Sequence, residues 1–544
     1  MNGGDAIVAT LQSREIEAVF FVPGGTYVTV LKALSTVANS IRAIPTRLES
    51  SATFAADAYF VAKRKPACVF VSRAPGATNA AIGIHSAMQA SRPMVLFIAN
   101  IPKRLQGREA FQEIDYRLMY APIAKAVFEV NSINEVAAVT ARALDLSVSG
   151  RPGPVVVVVS KDILDAETES VQIPKRAVLP SAGPDPVAIS EAAALIRDAR
   201  RPVIIAGEIV ASENAGAELS QFAEATGAIV MSAYRQQDVI DNEHPAHAGH
   251  LSLNRLPFQE EALKECDLIV AIGTRLDSVT SNDYALPTAD QKLLMIYPDA
   301  GEFSQWQADV AIAAQVGPTL RVLTGELGGS APRERTEWRD AVHRKEVEFA
   351  QPGEIQVQGD VDMAKVIKVF NEKVPADCII SLDAGTFGRW ISRYYRYRVP
   401  GTNAAPVSGA MGYGVPGAIG AQVAAPDRMV FCWVGDGGFT MTGHEVATAV
   451  QENLPVKFIV CDNAAWGSIL VHQQKRYGDW DFGTRLVSPD FTALGRGYGI
   501  PSYAVKKTSE FASAMDEAMA HPGPALIHLH LDLRDVSPFT GSAR

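Results

Sequence analysis

Asp436 and Asn463 each stand at the end of an apolar run, in "RMVFCWVGDGG" and "VKFIVCDNAAWG". Both runs have the length and the β-branched and aromatic content of buried strands. Between them "GHEVATAVQEN" has the pattern of a helix, expected to begin at Thr440 or Thr442. A right-handed crossover leaves the carboxyl ends of two parallel strands on one edge of the sheet, so these two side chains face one crevice. A carboxylate and an amide oxygen are hard ligands of the kind magnesium takes, with phosphate oxygens filling other positions. A backbone carbonyl near Ala465 is a third candidate ligand, and Gly437 and Gly438 would let backbone N–H groups approach phosphates. No Lys-Ser or Lys-Thr follows these glycines as in a P-loop, and their spacing is not that of a dinucleotide fingerprint. Either piece alone reads as a tight turn. Their pairing across one βαβ unit points instead to a diphosphate held through a metal.

The elements that must position this pair recur along the chain. Strand-like runs alternate with helical patterns from "AVFFVPGG" to "PMVLFIAN" and "GPVVVVVSKDIL", again from "RPVIIAGEIV" to "KLLMIYPD", and a third time from "CIISLDAG" to "ALIHLHLD". Such alternation predicts parallel sheets covered by helices. The polar, Pro-rich "DAETESVQIPKRAVLPSAGPDP" reads as a linker with a boundary near 180, and the pattern fades again near 350. The expected fold is α/β, with three doubly wound domains at 1–170, 185–335 and 355–544.

The opening stretch resembles the diphosphate-binding motif of thiamine diphosphate enzymes, which begins with GDG and closes with Asn-Asn one βαβ unit later. Asp462 stands where that family often has the first Asn, and Asn463 matches the metal-binding one. Further segments in family order extend the resemblance over nearly the whole chain. "FFVPGGTYVTVLKAL" resembles the first PGG turn, which implies that Gly24 and Gly25 line the reaction centre. "RLESSATFAADAYFVAK" looks like the segment carrying the acid that shares a proton with the aminopyrimidine ring, which implies that role for a buried Glu49. "SRAPGATNAAIGI" resembles a glycine turn in which Arg73 replaces the first Gly, and "GREAFQEIDY" supplies Phe111 and Gln112, which the family sets beside the thiazolium. "SGAMGYGVPGAIGA" is similar to the cofactor-gripping loop, implying that the Gly409 carbonyl holds the ring amine and Met411 props the bent cofactor. "LDAGTFGRW" resembles a diphosphate-side loop with Gly385 and Thr386 near the phosphates. The implied fold is the thiamine diphosphate-binding fold with a Rossmann-like central domain. The implied assembly is a homodimer or homotetramer in which Glu49 of one subunit completes the site of another.

Within that family the chain is most similar to the acetolactate synthase-like branch, which decarboxylates a 2-oxo acid and joins the two-carbon unit to a second carbonyl. Lys125 aligns with a lysine of the branch. Acetolactate synthases have a GARFDDRVTG segment whose second Arg grips the acceptor carboxylate, whereas this chain reads "GTRLDSVTSND" and keeps only Arg275. The acceptor pocket reads "WGSILVHQQKRY", with Ser468 and His472, and His472 is a candidate proton donor or acceptor. His85 and His444 are further candidates, and the adjacent His-His pair of pyruvate decarboxylases is absent. A 2-hydroxyacyl-CoA lyase or benzaldehyde-lyase-type acyloin cleavage is the alternative activity; a noncatalytic thiamine diphosphate-binding subunit is the alternative of another class. By the same resemblance the central block could hold FAD, ADP or coenzyme A, although "IIAGEIVASENAG" has no GxGxxG. The tail "LDLRDVSPFTGSAR" could close over the site.

Bulk properties agree with small-molecule chemistry. The chain has 544 residues, 47% of them hydrophobic, and a formal charge of −10 without the clustered Lys and Arg that nucleic-acid binding needs. Its five cysteines are scattered, odd in number and never in CxxC spacing, so neither a disulfide framework nor a zinc site is expected. No run reaches the length of a membrane span and the N-terminus lacks a signal pattern, so the expected location is the cytoplasm.

Overall fold

The computed structural model describes residues 1–176, 183–353 and 355–539. They form three six-stranded sheets in which every pairing is parallel. The first sheet contains β1 (Ala18–Phe21), β2 (Arg42–Pro45), β3 (Ala67–Ser72), β4 (Met94–Asn100), β5 (Ala126–Val130) and β6 (Pro154–Ser160), in the order β2-β1-β3-β4-β6-β5. The second contains β7 (Pro202–Ala206), β8 (Ile229–Ser232), β9 (His247–His250), β10 (Leu268–Ile272), β11 (Lys292–Tyr297) and β12 (Val310–Ala313), ordered β12-β11-β10-β7-β8-β9. The third contains β13 (Ile379–Leu382), β14 (Asn403–Ala404), β15 (Val430–Gly435), β16 (Lys457–Asp462), β17 (Ser502–Val505) and β18 (Ala525–His530), ordered β14-β13-β15-β16-β18-β17. The expected α/β class with parallel sheets is therefore what the chain adopts. The proposed boundary near 180 falls among residues 177–182, outside those described.

Burial explains the strands. "PVVVVVS" in β6 and "KFIVCD" in β16 are buried at every position, as strands covered on both faces must be. Each fully buried Val or Ile contributes about 1.5–3 kcal/mol over its exposed state. All five cysteines are buried and unpaired. No helix of the described residues is long and apolar enough to cross a membrane.

Helices α1 (Glu49–Lys63), α2 (Arg73–Gln89), α3 (Phe387–Tyr394), α4 (Gly414–Ala424), α5 (Asp436–Thr442), α6 (Val446–Gln451) and α7 (Gly467–Tyr477) carry most of the site. α1 is buried on nearly all sides, which requires partners all round. One is α4 of the third block, so close that a Cβ at Gly420 would lie 1.9 Å from the Ala55 carbonyl oxygen. A buried polar knot pins the same junction: Arg92 Nη1 lies 2.6 Å from Asp57 Oδ2 and the Tyr413 hydroxyl donates to that oxygen at 2.7 Å. First and third blocks thus share one core.

Two glycine clusters read as turns are helix starts. α5 begins at Asp436, not at Thr440 or Thr442, and α2 begins at Arg73, inside "RAPGATN". In both cases the chain passes from strand to helix with no intervening loop, and glycine is needed for close packing rather than for a turn.

Candidate active site

Asp436 is the first residue of α5 and is only 4% exposed. Its Oδ1 accepts the Gly437 N–H at 2.8 Å and its Oδ2 accepts the Ala465 N–H at 3.2 Å. That second bond joins the two strand ends, because Ala465 N–H also reaches Asn463 Oδ1 at 3.2 Å. Asp436 and Asn463 are therefore brought together, as the crossover requires. The Ala465 carbonyl accepts from Gly467 N–H at 2.8 Å. The glycines are fixed by neighbours: a Cβ at Gly437 would lie 2.1 Å from the Trp466 ring, and one at Gly438 would lie 2.6 Å from Asp383 Oδ2. Gly467 sits between Thr386 Oγ1 and Asn463 Nδ2, each 3.0 Å from where its Cβ would be.

Electrostatics here favour a cation. Burial, with Asp462 nearby, pushes Asp436 up to about 6. Asp462 stays below the ordinary carboxylate range: burial opposes this, but His528 donates to its Oδ2 at 2.9 Å and Ser488 to its Oδ1 at 2.6 Å. A divalent ion at Asp436 and Asn463 would relieve the buried carboxylate, and the close-packed glycine cradle leaves backbone beside it. The donor set fits magnesium with a diphosphate.

Asp383, at the end of β13, went unnoticed in the sequence. It is fully buried and accepts the Ala384 N–H at 2.6 Å and the Gly412 N–H at 3.0 Å, and burial raises it to about 6. It fixes the loop that carries Gly409 and Met411, with Gly409 at φ +71°. The signal was available, since Asp383 closes an apolar run as Asp436 does. Trp466, which roofs Gly437, was likewise overlooked.

Asp436, Asn463, Ala465, Trp466 and the Gly437, Gly438 and Gly467 backbone line one cavity of about 370 Å³, together with Gly385, Thr386, Gly409, Met411 and Ser468. His472 is exposed one turn further along α7 and is not part of the lining. The other predicted residues gather elsewhere, at the carboxyl edge of the first sheet. Glu49 is the first residue of α1, half-buried, with Asn79 Nδ2 donating to its Oε2 at 3.0 Å and Gly76 packed against its Oε1. Gly24 packs on Ser72 and Tyr27, while Gly25 faces open space. Gln112 has φ +67° and receives a hydrogen bond from Arg73 Nη1 at 3.3 Å. Beside it Phe111 is 78% exposed. None of these lines the cavity of its own chain.

Two residues named from the family resemblance, Lys125 and Arg275, have partners within the chain. Lys125 Nζ donates to the Leu146 and Arg151 carbonyls, both at 2.8 Å, and burial lowers it to about 8. Arg275 pairs with Glu208 at 3.4 Å and donates to the Gln89 carbonyl at 2.8 Å. That pair lies at the switch point of the second sheet, between β7 and β10, where a nucleotide would bind. Glu208 occupies it with a buried carboxylate, raised by its burial, that also accepts from the Tyr297 hydroxyl at 3.3 Å. Gly207 and Gly273 are packed against neighbouring backbone. With Arg275 neutralised by Glu208, this edge offers no unpaired positive charge to the phosphates of FAD, ADP or coenzyme A.

Residues 1–119 match the N-terminal TPP binding domain of thiamine pyrophosphate enzymes, 189–323 the central domain and 383–529 the C-terminal TPP binding domain. The chain is 31% identical to the acetolactate synthase isozyme 1 large subunit of Escherichia coli, over 98% of this chain and 94% of that one. It is 31% identical to the acetolactate synthase large subunit of Corynebacterium glutamicum, over 95% and 84%, and 29% identical to a probable acetolactate synthase large subunit of Methanocaldococcus jannaschii, over 99% and 93%. The chain belongs to the thiamine pyrophosphate enzymes, in the acetolactate synthase-like family.

Proposed function

We propose that the protein is a thiamine diphosphate- and magnesium-dependent carboligase that decarboxylates a 2-oxo acid and joins the remaining acyl unit to a second carbonyl. The observation that carries this reading is the Asp436–Ala465–Asn463 constellation over a glycine cradle, in a chain similar to acetolactate synthase large subunits along nearly its whole length. Thiamine diphosphate, when bound, supplies a carbon nucleophile and an electron sink. Asp436, Asn463 and the Ala465 carbonyl hold the metal; Gly437, Gly438, Gly385 and Thr386 make room for the diphosphate. The Gly409 carbonyl would accept from the ring amine and Met411 would pack against the ring. Glu49 would exchange a proton with the aminopyrimidine nitrogen, Gln112 would orient the substrate, and His472, exposed one turn beyond Ser468, would be the proton donor or acceptor at the acceptor carbonyl.

The functional unit is at least a homodimer, and a homotetramer is compatible with it. Supporting this, Glu49, Gly24, Gly25 and Gln112 lie outside the cavity of their own chain, and Phe111 beside Gln112 is exposed, as a surface offered to a second copy would be. We assign no nucleotide to the central domain, take the domains to span 1–170, 185–335 and 355–544, and place the enzyme in the cytoplasm. Glu49→Gln is the test: exchange of the cofactor C2 proton should be lost with the fold intact, and unchanged turnover would sink the assignment.

A further inference from the structure

We propose that the cavity beside the diphosphate loop contains an anion subsite formed by Arg235 and Arg389, and that its occupant is a second acidic group on the substrate. The proposal deepens the carboligase reading and rests on it for the nature of the substrate. The cavity of about 370 Å³ runs from Asp436 and Asn463 to a wall contributed by the central block, with Tyr234, Arg235 and His250, and by α3, with Arg389.

Arg235 follows β8 at φ +62° and is 7% exposed. A buried guanidinium is ordinarily paired with a carboxylate or bonded to carbonyls. This one has no such partner among the described residues: its Nη1 is buried and unbonded, and its Cζ lies 5.5 Å from the centre of the Tyr234 ring. The nearby carboxylates are committed elsewhere. Asp238 Oδ2 accepts from the Gly401, Thr402 and Asn403 N–H groups, and Asp383 accepts from Ala384 and Gly412. Arg389 is half-buried, and its guanidinium also lacks a hydrogen-bond or ion-pair partner among the described residues.

The surrounding arginines behave differently. Arg393, one turn along α3, donates to the Phe349 carbonyl at 3.0 Å and the Pro538 carbonyl at 3.1 Å, and Arg396 is paired with Glu346 and Glu243. Two uncompensated guanidinium groups facing one cavity are complementary to a carboxylate or phosphate-type oxyanion, which a guanidinium fork binds with two hydrogen bonds. The diphosphate end of the cavity has its own glycines and metal ligands. The arginine wall therefore reads the far end of a substrate, and it supplies from a new direction the positive charge that the chain lacks next to Arg275, where Glu208 neutralises it.

The test uses the full chain loaded with thiamine diphosphate and magnesium, and compares kcat/KM for 2-oxoglutarate with that for its terminal amide. The wild type should favour the dicarboxylate at least about a hundredfold. Arg235→Gln should cut that preference by about a hundredfold and Arg389→Gln by about tenfold, as expected for truncating one member of a buried charge pair. Unchanged selectivity in both variants would overturn the proposal. So would a rise in the thiamine diphosphate Kd that accounts for the lost activity, which would assign Arg235 to the cofactor's own diphosphate, or dissociation of the oligomer, which would assign it to a subunit contact. Calorimetric binding of ADP or coenzyme A that Arg235→Gln abolishes, with 2-oxo acid selectivity intact, would assign the subsite to a nucleotide phosphate and overturn the substrate assignment. If no 2-oxo acid is decarboxylated, the carboligase reading fails by itself. Calorimetry with succinate then decides the subsite: binding weakened at least tenfold by Arg235→Gln supports it, and no binding overturns it.

Discussion

Replacing Gly437 with alanine places a methyl carbon 2.1 Å from Cζ3 of Trp466 and 2.7 Å from Cε3 and Cη2. Carbon atoms pack at about 3.5–4.0 Å, so the ring or the start of α5 must give way by roughly 1.5 Å. If the ring moves it takes Ala465 with it, whose N–H bonds Asp436 and Asn463 together. If α5 moves it takes Asp436. Either displacement separates the two expected metal ligands, and overpacking itself costs about 1–3 kcal/mol. Gly437→Ala should therefore raise the Kd for thiamine diphosphate in saturating magnesium at least about tenfold, since 1.4 kcal/mol is a factor of ten. The assay is fluorescence titration of purified protein with the cofactor, repeated with a Gly437→Ala/Trp466→Leu double variant. Removing the ring should recover most of the loss, giving a coupling of about 0.5–3 kcal/mol between the positions. Cofactor affinity in Gly437→Ala within a factor of two of wild type would refute the argument that these glycines are fixed by close packing around the ligands.

Asp436→Asn removes the carboxylate from the donor set and should lower magnesium affinity at least about a hundredfold, measured by calorimetry with thiamine diphosphate present. In the wild type, magnesium must displace the proton that burial holds on Asp436 below about pH 6, so metal affinity should fall by roughly tenfold per unit of acidification below that point. Asp383, raised from 3.8 to about 6 by burial, binds its proton more tightly in the folded state. Stability of the cofactor-free protein should therefore fall as pH rises from about 4 to about 6 and then level off. That window is worth about 3 kcal/mol, and Asp383→Asn should flatten the slope in denaturant titrations across it.

The strands that were legible in the sequence are mostly those buried on both faces. The central "VVVVV", "VFCWV" and "FIVC" of β6, β15 and β16 are apolar because helices cover both sides of the sheet. The runs that escaped notice are edge strands: β5, β12 and β17 are largely half-buried or exposed and β14 is two residues long, so periodicity had little to act on. The Asp436–Asn463 pairing was readable because strand topology alone brings two consecutive strand ends together. Asp383 belongs to the same edge, but its partner loop at Gly412 is distant in sequence, and only the fold joins them. Arg235 gave no local signal at all, since an unpaired guanidinium is recognised by what fails to surround it. Lys125 shows the converse: a residue that aligns with a lysine of the family branch is here held by backbone carbonyls nearby.

The central claim is tested most directly by measuring carbon dioxide release from a panel of 2-oxo acids, pyruvate and 2-oxoglutarate among them. Purified protein is supplied with thiamine diphosphate and magnesium, and the coupled product is identified. The account predicts release that depends on both additions, with the acyl unit recovered in a new carbon–carbon bond. No release from any of them, with exchange of the cofactor C2 proton intact, would contradict it and turn the assignment to cleavage of an acyloin or a 2-hydroxyacyl thioester.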